Sequence, residues 1–337
     1  MHTRQVMTQA AKASITLAAA VALYACLIAS VQADEREIVL YDGFGASRFL
    51  LEGRVIEADG ERPEAESDTW FANLKRTLGR LVNDEQEKVP LRVTLGNGAW
   101  PAVTDEEGYF RVEARAPVDA RSGWQEITVI SERGDARATG AVLLVPEENR
   151  LGLISDLDDT ILVSDVTDKS QLLRNTLLVN YAQRQPVAGT AAFYTRLARR
   201  NPRPEAAPIF YLSASPRQLH TGIQAFLDRN RFPRGVLITR KVTNDHTSDP
   251  LLDQVRYKTA RIEQLLVALP QVKFVLIGDD GERDPEIYDN IRRQYPDRIE
   301  AVWIRKVSRD PARAVHSGQR DLAEALSGTP QGTRRAR

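Results

Sequence analysis

The sequence predicts an α/β domain built on a parallel sheet, preceded by an antiparallel β-sandwich. Three observations carry this reading. Residues 36 to about 147 are a series of short β-type runs separated by Gly, Asp and Asn. After residues 146–150 the pattern changes to strands alternating with helices, which is how a chain builds a parallel sheet covered on both faces. The apolar run Leu151–Ile154 leads into Asp156 and Asp158, two carboxylates where a buried strand ends. Open α/β sheets bind ligands at the carboxyl ends of their strands.

The elements follow in order. Residues 1–33 have a mildly basic start, an uncharged stretch from Ala13 to Val31 and small residues at Val31-Gln32-Ala33. This is the three-part layout of a secretory signal peptide. The same stretch is about long enough to be an uncleaved anchor, so both readings stay open. Cys26, the only cysteine, lies inside it, and a mature chain would have no disulfide. Strands are predicted at 37–42, 49–56, 91–95, 109–114 and 126–131. The stretch 61–90 interrupts them, and Ser67 or Asp68 is placed to cap a helix through Trp70, Leu74, Leu78 and Leu81.

In the second half, strands are expected at 151–156, 208–213, 235–239, 272–278 and 299–304. Helices are expected at 216–229 and 254–269, the latter with Val255, Ile262, Leu265, Leu266 and Leu269 on one face. Residues 161–208 should add helices at 169–183 and 190–200. From Ser308 the chain is polar and ends Arg334-Arg335-Ala336-Arg337, a composition that favours partial disorder. Formal net charge is zero over 337 residues, which gives no case for nucleic-acid binding.

Groups suited to one reaction recur at the ends of these elements. Asp156 and Asp158 end the first strand, and Ser213 ends the second. Lys258 lies near the start of helix 254–269. Asp279, Asp280 and Asp284 follow the fourth strand. A carboxylate can attack phosphorus, and a second can protonate the leaving oxygen and later deprotonate water. Carboxylates this close repel unless a proton or a hard cation lies between them, and magnesium is the cation such chemistry uses. A hydroxyl and an ammonium can bind the remaining phosphate oxygens. The calcium-loop reading of Asp156-x-Asp158-x-Thr160 fails, because Ile161 and Thr167 stand where that loop needs Gly and Glu.

This layout resembles the haloacid dehalogenase superfamily of phosphotransferases. The resemblance implies a Rossmann-like catalytic domain with a small cap at 161–208. It makes Asp156 the nucleophile, Asp158 the general acid/base and Thr160 a support for the loop. Ser213 and Lys258 would bind phosphate, and Asp279 would hold Mg2+ together with Asp156 and Asp158, the last through its carbonyl. Asp284 fits the second acid of the last motif, and both it and Asp280 are assigned as further metal ligands, Asp280 alternatively as a more peripheral group. Three segments narrow the likeness: 212–216, 278–288 and Trp303-Ile304-Arg305. With Gly53-Arg54-Val55 upstream, they resemble the phosphatidate phosphatase family known from the fungal actin-patch enzyme. Arg217 and Asp280 depart from that family's usual aromatic and serine.

The function implied is Mg2+-dependent hydrolysis of phosphatidate to diacylglycerol and phosphate at a membrane surface, by an exported bacterial enzyme, periplasmic or secreted. A phosphatase of another phosphomonoester, or a non-catalytic envelope binding protein, are the alternatives. Arg217, Arg240, Lys241 and Arg256 are candidates for a basic rim around the mouth, or are scattered surface charge.

Overall fold

A computed structural model describes residues 36–57, 86–162, 184–242, 248–249 and 253–327. The expected leader at 1–33, the helix within 61–90 and the helix 169–183 lie wholly or mainly outside the described residues. Among those described, no helix is long and apolar enough to cross a membrane.

The first domain contains β1 (Arg36–Gly45), β2 (Arg48–Glu57), β3 (Pro90–Leu95), β4 (Gly98–Val103), β5 (Tyr109–Arg115), β6 (Gly123–Ser131) and β7 (Arg137–Leu144). The expected two-sheet antiparallel sandwich is not what forms. The strands make one seven-stranded sheet in the order β4-β3-β6-β7-β1-β2-β5, and its β1–β7 pair is parallel. Edge strands β4 and β5 come back into contact, so the sheet nearly closes on itself. The cause lies in β1, whose register against β2 shifts between Tyr41 and Phe44. Such an irregularity bends and twists a strand. The curled sheet then encloses its own core, including Leu51, Val55, Leu91, Val93, Val129 and Val142.

Two of these strands are hidden in the sequence. β4 carries Pro101, which is tolerated because the strand is an edge. β7 opens on Arg-Ala-Thr-Gly and shows no alternation until its buried end, Val142–Leu144.

The second domain has β8 (Leu151–Asp156), β9 (Ile209–Pro216), β10 (Val236–Arg240), β11 (Lys273–Asp279), β12 (Ile299–Arg305) and β13 (Gln319–Asp321). All pair in parallel, in the order β10-β9-β8-β11-β12-β13. Helices α1 (Thr190–Ala198), α2 (His220–Arg229), α3 (Gln254–Ala268), α4 (Asp284–Gln294) and α5 (Leu322–Leu326) flank this sheet. Alternate strand residues face opposite sides. Ile154, Phe210, Leu212 and Leu276 meet Ile262, Leu265, Ile287 and Ile291 of α3 and α4. Leu153, Tyr211, Val275 and Ile277 meet Tyr194, Ile223, Phe226 and Leu322 of α1, α2 and α5. The sheet is thus covered on both faces.

Two expectations change. Helix α1 is not part of a cap, because its Phe193, Tyr194 and Leu197 pack on the sheet. The ends of the preceding insertion are pinched together by a bridge between Leu162 and Pro186. The polar segment after 308 supplies β13 and α5, with Leu322 fully buried.

The two domains share packing. Phe44, Leu50, Leu143 and Val145 join the core under α3, and Phe44 meets Phe210 edge-on with ring centroids 5.2 Å apart. The junction therefore rests directly on β9, the strand that carries Ser213.

Candidate active site

Strand order reverses between β8 and β11, so their carboxyl ends border a crevice. Asp156 and Asp279 close these two neighbouring strands. Paired strands lie about 4.8 Å apart, so the two carboxylates are forced close by the sheet itself. Asp284 opens α4, where a carboxylate also suits the positive end of the helix. Its approach depends on Gly278: a Cβ there would lie 2.3 Å from Asp284 Oδ2.

Lys258, on the buried face of α3, reaches into this group. Its Nζ donates to Asp156 Oδ1 at 2.7 Å and Asp284 Oδ1 at 2.6 Å, and lies 3.5 Å from Glu282. The Lys258, Asp156 and Asp284 side chains are 0%, 3% and 0% exposed. Asp156, Asp279 and Asp284 each offer an oxygen within 4.8 Å of the others. Oδ2 of Asp156 and Oδ2 of Asp284 are buried without a hydrogen-bond partner. A buried anionic oxygen left unpaired is costly. Three converging carboxylates with two orphaned oxygens have the donor chemistry of a hard divalent cation.

Burial and the neighbouring acids push the Asp156 carboxyl well above the usual range, against the opposing pull of Lys258. Asp279 is likewise raised, by burial and then by Asp284, with Lys258 opposing. Asp284 is raised by burial, again against Lys258. Burial alone would lower the Lys258 ammonium, but Asp156, Asp284 and Glu282 outweigh it and hold the pKa well above its ordinary value.

The other sequence candidates fall around this group. Thr160 is fully buried and donates to Asp279 Oδ2 at 3.3 Å, which ties the first acidic loop to the second. Asp158 stands apart, with Oδ1 accepting from Arg184 Nη1 at 3.2 Å. Burial raises its pKa, while Arg184 opposes the rise. Ser213 lies one residue beyond Leu212, the β9 partner of Asp156. Its Oγ accepts from the Ser215 amide at 3.0 Å, and its carbonyl accepts from Tyr257 at 3.2 Å.

Asp280 does not join the carboxylate group, contrary to its assignment as a metal ligand. Its Oδ1 accepts from the amides of Val307 and Ser308, both at 2.6 Å, so it fixes the loop after β12. The expected basic rim does not form either. Arg217 is buried against Glu52, Arg240 stacks on Tyr257, and Lys241 donates to Asp105 at 2.8 Å; Arg256 alone is exposed.

Two residues around the site carry no sequence signal, and a third carries one that motif spacing alone does not interpret. Arg184 belongs to no motif and follows an insertion. Glu52 is invisible because its partner Arg217 lies 165 positions away in the chain. Arg305 had a signal, since it ends Trp303-Ile304-Arg305. Its Nη1 donates to the carbonyl of Asp159, a residue at φ 54° in the turn after Asp158.

Known proteins share parts of this framework. Residues 151–306 match the family described as phosphatidate phosphatase APP1, catalytic domain. Phosphatidate phosphatase APP1 of Saccharomyces cerevisiae is 32% identical over 158 residues, which is 46% of this chain and 26% of the yeast protein. An uncharacterized protein of Schizosaccharomyces pombe is 25% identical over 246 residues, 69% of this chain and 40% of that one. The chain thus spans well under half the length of these relatives. A carbohydrate acetylesterase from Xanthomonas citri overlays with a TM-score of only 0.29 at 9% identity, covering 79% of this chain and 66% of that one. The matched region runs from the first residue of β8 to just past β12 and includes Asp156, Asp158, Asp279 and Asp284. The likeness to the phosphatidate phosphatase family thus lies in this second domain, which matches the catalytic-domain model of that family and the yeast protein over just under half of the chain.

Proposed function

We propose that the chain is a Mg2+-dependent phosphatase with a Rossmann-like, haloacid-dehalogenase-type catalytic domain. Its substrate is phosphatidate or a closely related lipid phosphate monoester. The observation that carries this reading is the buried trio Asp156, Asp279 and Asp284, balanced by one ammonium and left with two unpaired oxygens. The relative's name supplies the substrate class.

Asp156, Asp279 and Asp284 would hold the Mg2+. When bound, the cation would offset repulsion between the carboxylates and an incoming phosphate and would polarise the phosphoryl group. The protein's own residues supply the remaining chemistry. Asp156 attacks phosphorus and the bond from phosphorus to the glycerol oxygen breaks, leaving an aspartyl-phosphate. Asp158 gives its proton to the departing oxygen, a task suited to a carboxyl whose pKa burial has raised. It then takes a proton from the water that hydrolyses the acyl-phosphate.

Lys258 anchors Asp156 by one oxygen and balances charge at the phosphorus. Ser213 presents a hydroxyl to a phosphoryl oxygen. Thr160 holds the two acidic loops in register. The leader-like residues 1–33 support an exported setting, periplasmic or secreted.

The test is phosphate release by the purified chain from phosphatidate in mixed micelles, beside soluble phosphomonoesters, with Mg2+ or with EDTA. Mg2+-dependent release from phosphatidate is the expected result. Release from soluble esters alone would remove the lipid reading and keep the aspartate chemistry. No release from any of them would overturn the proposal.

A further inference from the structure

A large cleft lies away from the carboxylate site. It has a volume of about 1060 Å³ and runs between the domains, walled by the start of β6 on one side and by α1 and the turn at 203–206 on the other. That turn packs beneath the amino end of β8: Leu151 bonds to Asn201, and the buried Asn149 bonds to Arg203 and Ala206. Asp156 ends the same six-residue strand. At about 3.3 Å per residue, the cleft and the carboxylates lie roughly 17 Å apart along it.

Four arginines line the cleft, Arg121, Arg199, Arg203 and Arg234, against one carboxylate, Glu205. The chain as a whole is neutral, so this excess is local. Arg203 is committed to structure. It donates to Ser122 Oγ at 2.7 Å and to the Ser122 carbonyl at 3.1 Å, and pairs with Glu205 at 3.2 Å. It lies so close to Gly123, at φ 105°, that a Cβ there would be 3.0 Å from Nη2. Arg234 stacks on Trp124, 3.9 Å from the ring centroid, with Asp42 facing it from the first domain. Arg121 and Arg199 are exposed, and among the described residues no ion pair engages either. The wall therefore carries two guanidinium groups, those of Arg121 and Arg199, that no described residue neutralises. Planar guanidinium forks match phosphate oxygens in pairs.

We propose that this cleft is a second anion site that takes a phosphate-bearing ligand, either a soluble polyphosphate-type anion or the head group of an anionic lipid. It is separate from the Asp156 site, and its binding chemistry does not depend on the phosphatase reading.

Calorimetric titration of the full chain with tripolyphosphate, and sedimentation with phosphatidylcholine vesicles with and without phosphatidylglycerol, test it. Neither probe is a phosphomonoester. Binding of either probe to the wild type should survive in Asp156→Asn. It should weaken at least about tenfold in the Arg121→Gln/Arg199→Gln double variant. Both substitutions are on exposed side chains, so unchanged melting and unchanged phosphate release would accompany the loss. Tripolyphosphate alone would identify a soluble anion as the source, and vesicles alone a lipid head group. The proposal is overturned if neither probe binds, if the double variant binds as well as wild type, or if Asp156→Asn abolishes binding.

Discussion

Two buried cations divide the molecule into regions with opposite electrostatic logic. Lys258 faces Asp156 and Asp284 directly, with Asp279 beside them, and two carboxylate oxygens remain unpaired. Arg217 sits at the domain junction against the single carboxylate of Glu52. Its guanidinium lies 4.9 Å from the Tyr41 ring centroid and 5.5 Å from that of Tyr109. At the first site the charges do not cancel, so the protein holds a deficit that a cation from solution can fill. At the second, one guanidinium, one carboxylate and two aromatic faces satisfy one another. Glu52 illustrates this balance: burial would raise its pKa, yet Arg217 and its other cationic neighbours bring it below the ordinary value. The deficit suits ligand binding, while the balanced group serves the joint between the domains.

Breaking the first region should have the largest effect. Lys258→Met leaves Asp156 and Asp284 without their cation, and removing one partner of a buried pair costs about 3–5 kcal/mol. Phosphate release should fall by at least about 100-fold, as when an electrostatic stabiliser of the transition state is lost. Steady-state assays together with denaturant unfolding measure both. Gly278→Ala attacks the same region through sterics, since its Cβ would meet Asp284 Oδ2. Activity should drop while the first domain keeps its stability.

Added Mg2+ separates the regions directly. It should raise the melting temperature of the wild type, because a ligand that binds only the native state stabilises it. The rise should vanish in Asp279→Asn and persist in Glu52→Gln. In turn, Glu52→Gln strips Arg217 of its carboxylate at a partly exposed position. It should cost about 2 kcal/mol, less than a fully buried pair. The change in activity should be only a few-fold, transmitted through the turn from Ser213 to Arg217.

His220 adds a pH dependence to the junction. It packs edge-on against Tyr41, 4.9 Å between centroids, and burial together with Arg217 lowers its pKa to about 3. The unfolded chain binds a proton near the ordinary histidine value of about 6.5, which the native state refuses. Stability from this group is therefore present above about pH 6.5 and declines as pH falls toward the folded value. Melting curves recorded from neutral pH down to mildly acidic pH should show this decline, and His220→Phe should flatten it. The smallest effect belongs to Lys241→Met. Its partner Asp105 is about one-third exposed, so the loss should stay within about 1 kcal/mol with activity unchanged.

The two regions differ as much in legibility as in charge. Asp156, Asp279 and Lys258 can be read from the chain because each sits at the end of an apolar run or on a periodic helix, and the parallel sheet then has to bring the strand ends together. Asp284 is readable too, although the need for Gly278 beside it is not. Asp280 looks like its neighbours, but the sequence does not show the loop at 307–308 that takes its carboxylate. The junction is unreadable for the same reason. Glu52 with Arg217, and Asp158 with Arg184, meet only after distant segments pack. In the first domain the strands are mostly visible, yet the register shift in β1 that curls them into one sheet leaves no periodic trace. β13 is hidden because Gln-Arg-Asp at a sheet edge has no apolar pattern.

Formation of a covalent phosphoenzyme at Asp156 is the central claim. The most direct measurement is acid quench of a single turnover with phosphatidate labelled in its phosphate, followed by mapping of the label. A transient, Mg2+-dependent label on Asp156 is expected, absent in Asp156→Asn and long-lived in Asp158→Asn. Turnover at the wild-type rate by Asp156→Asn, or a label on another residue, would contradict it.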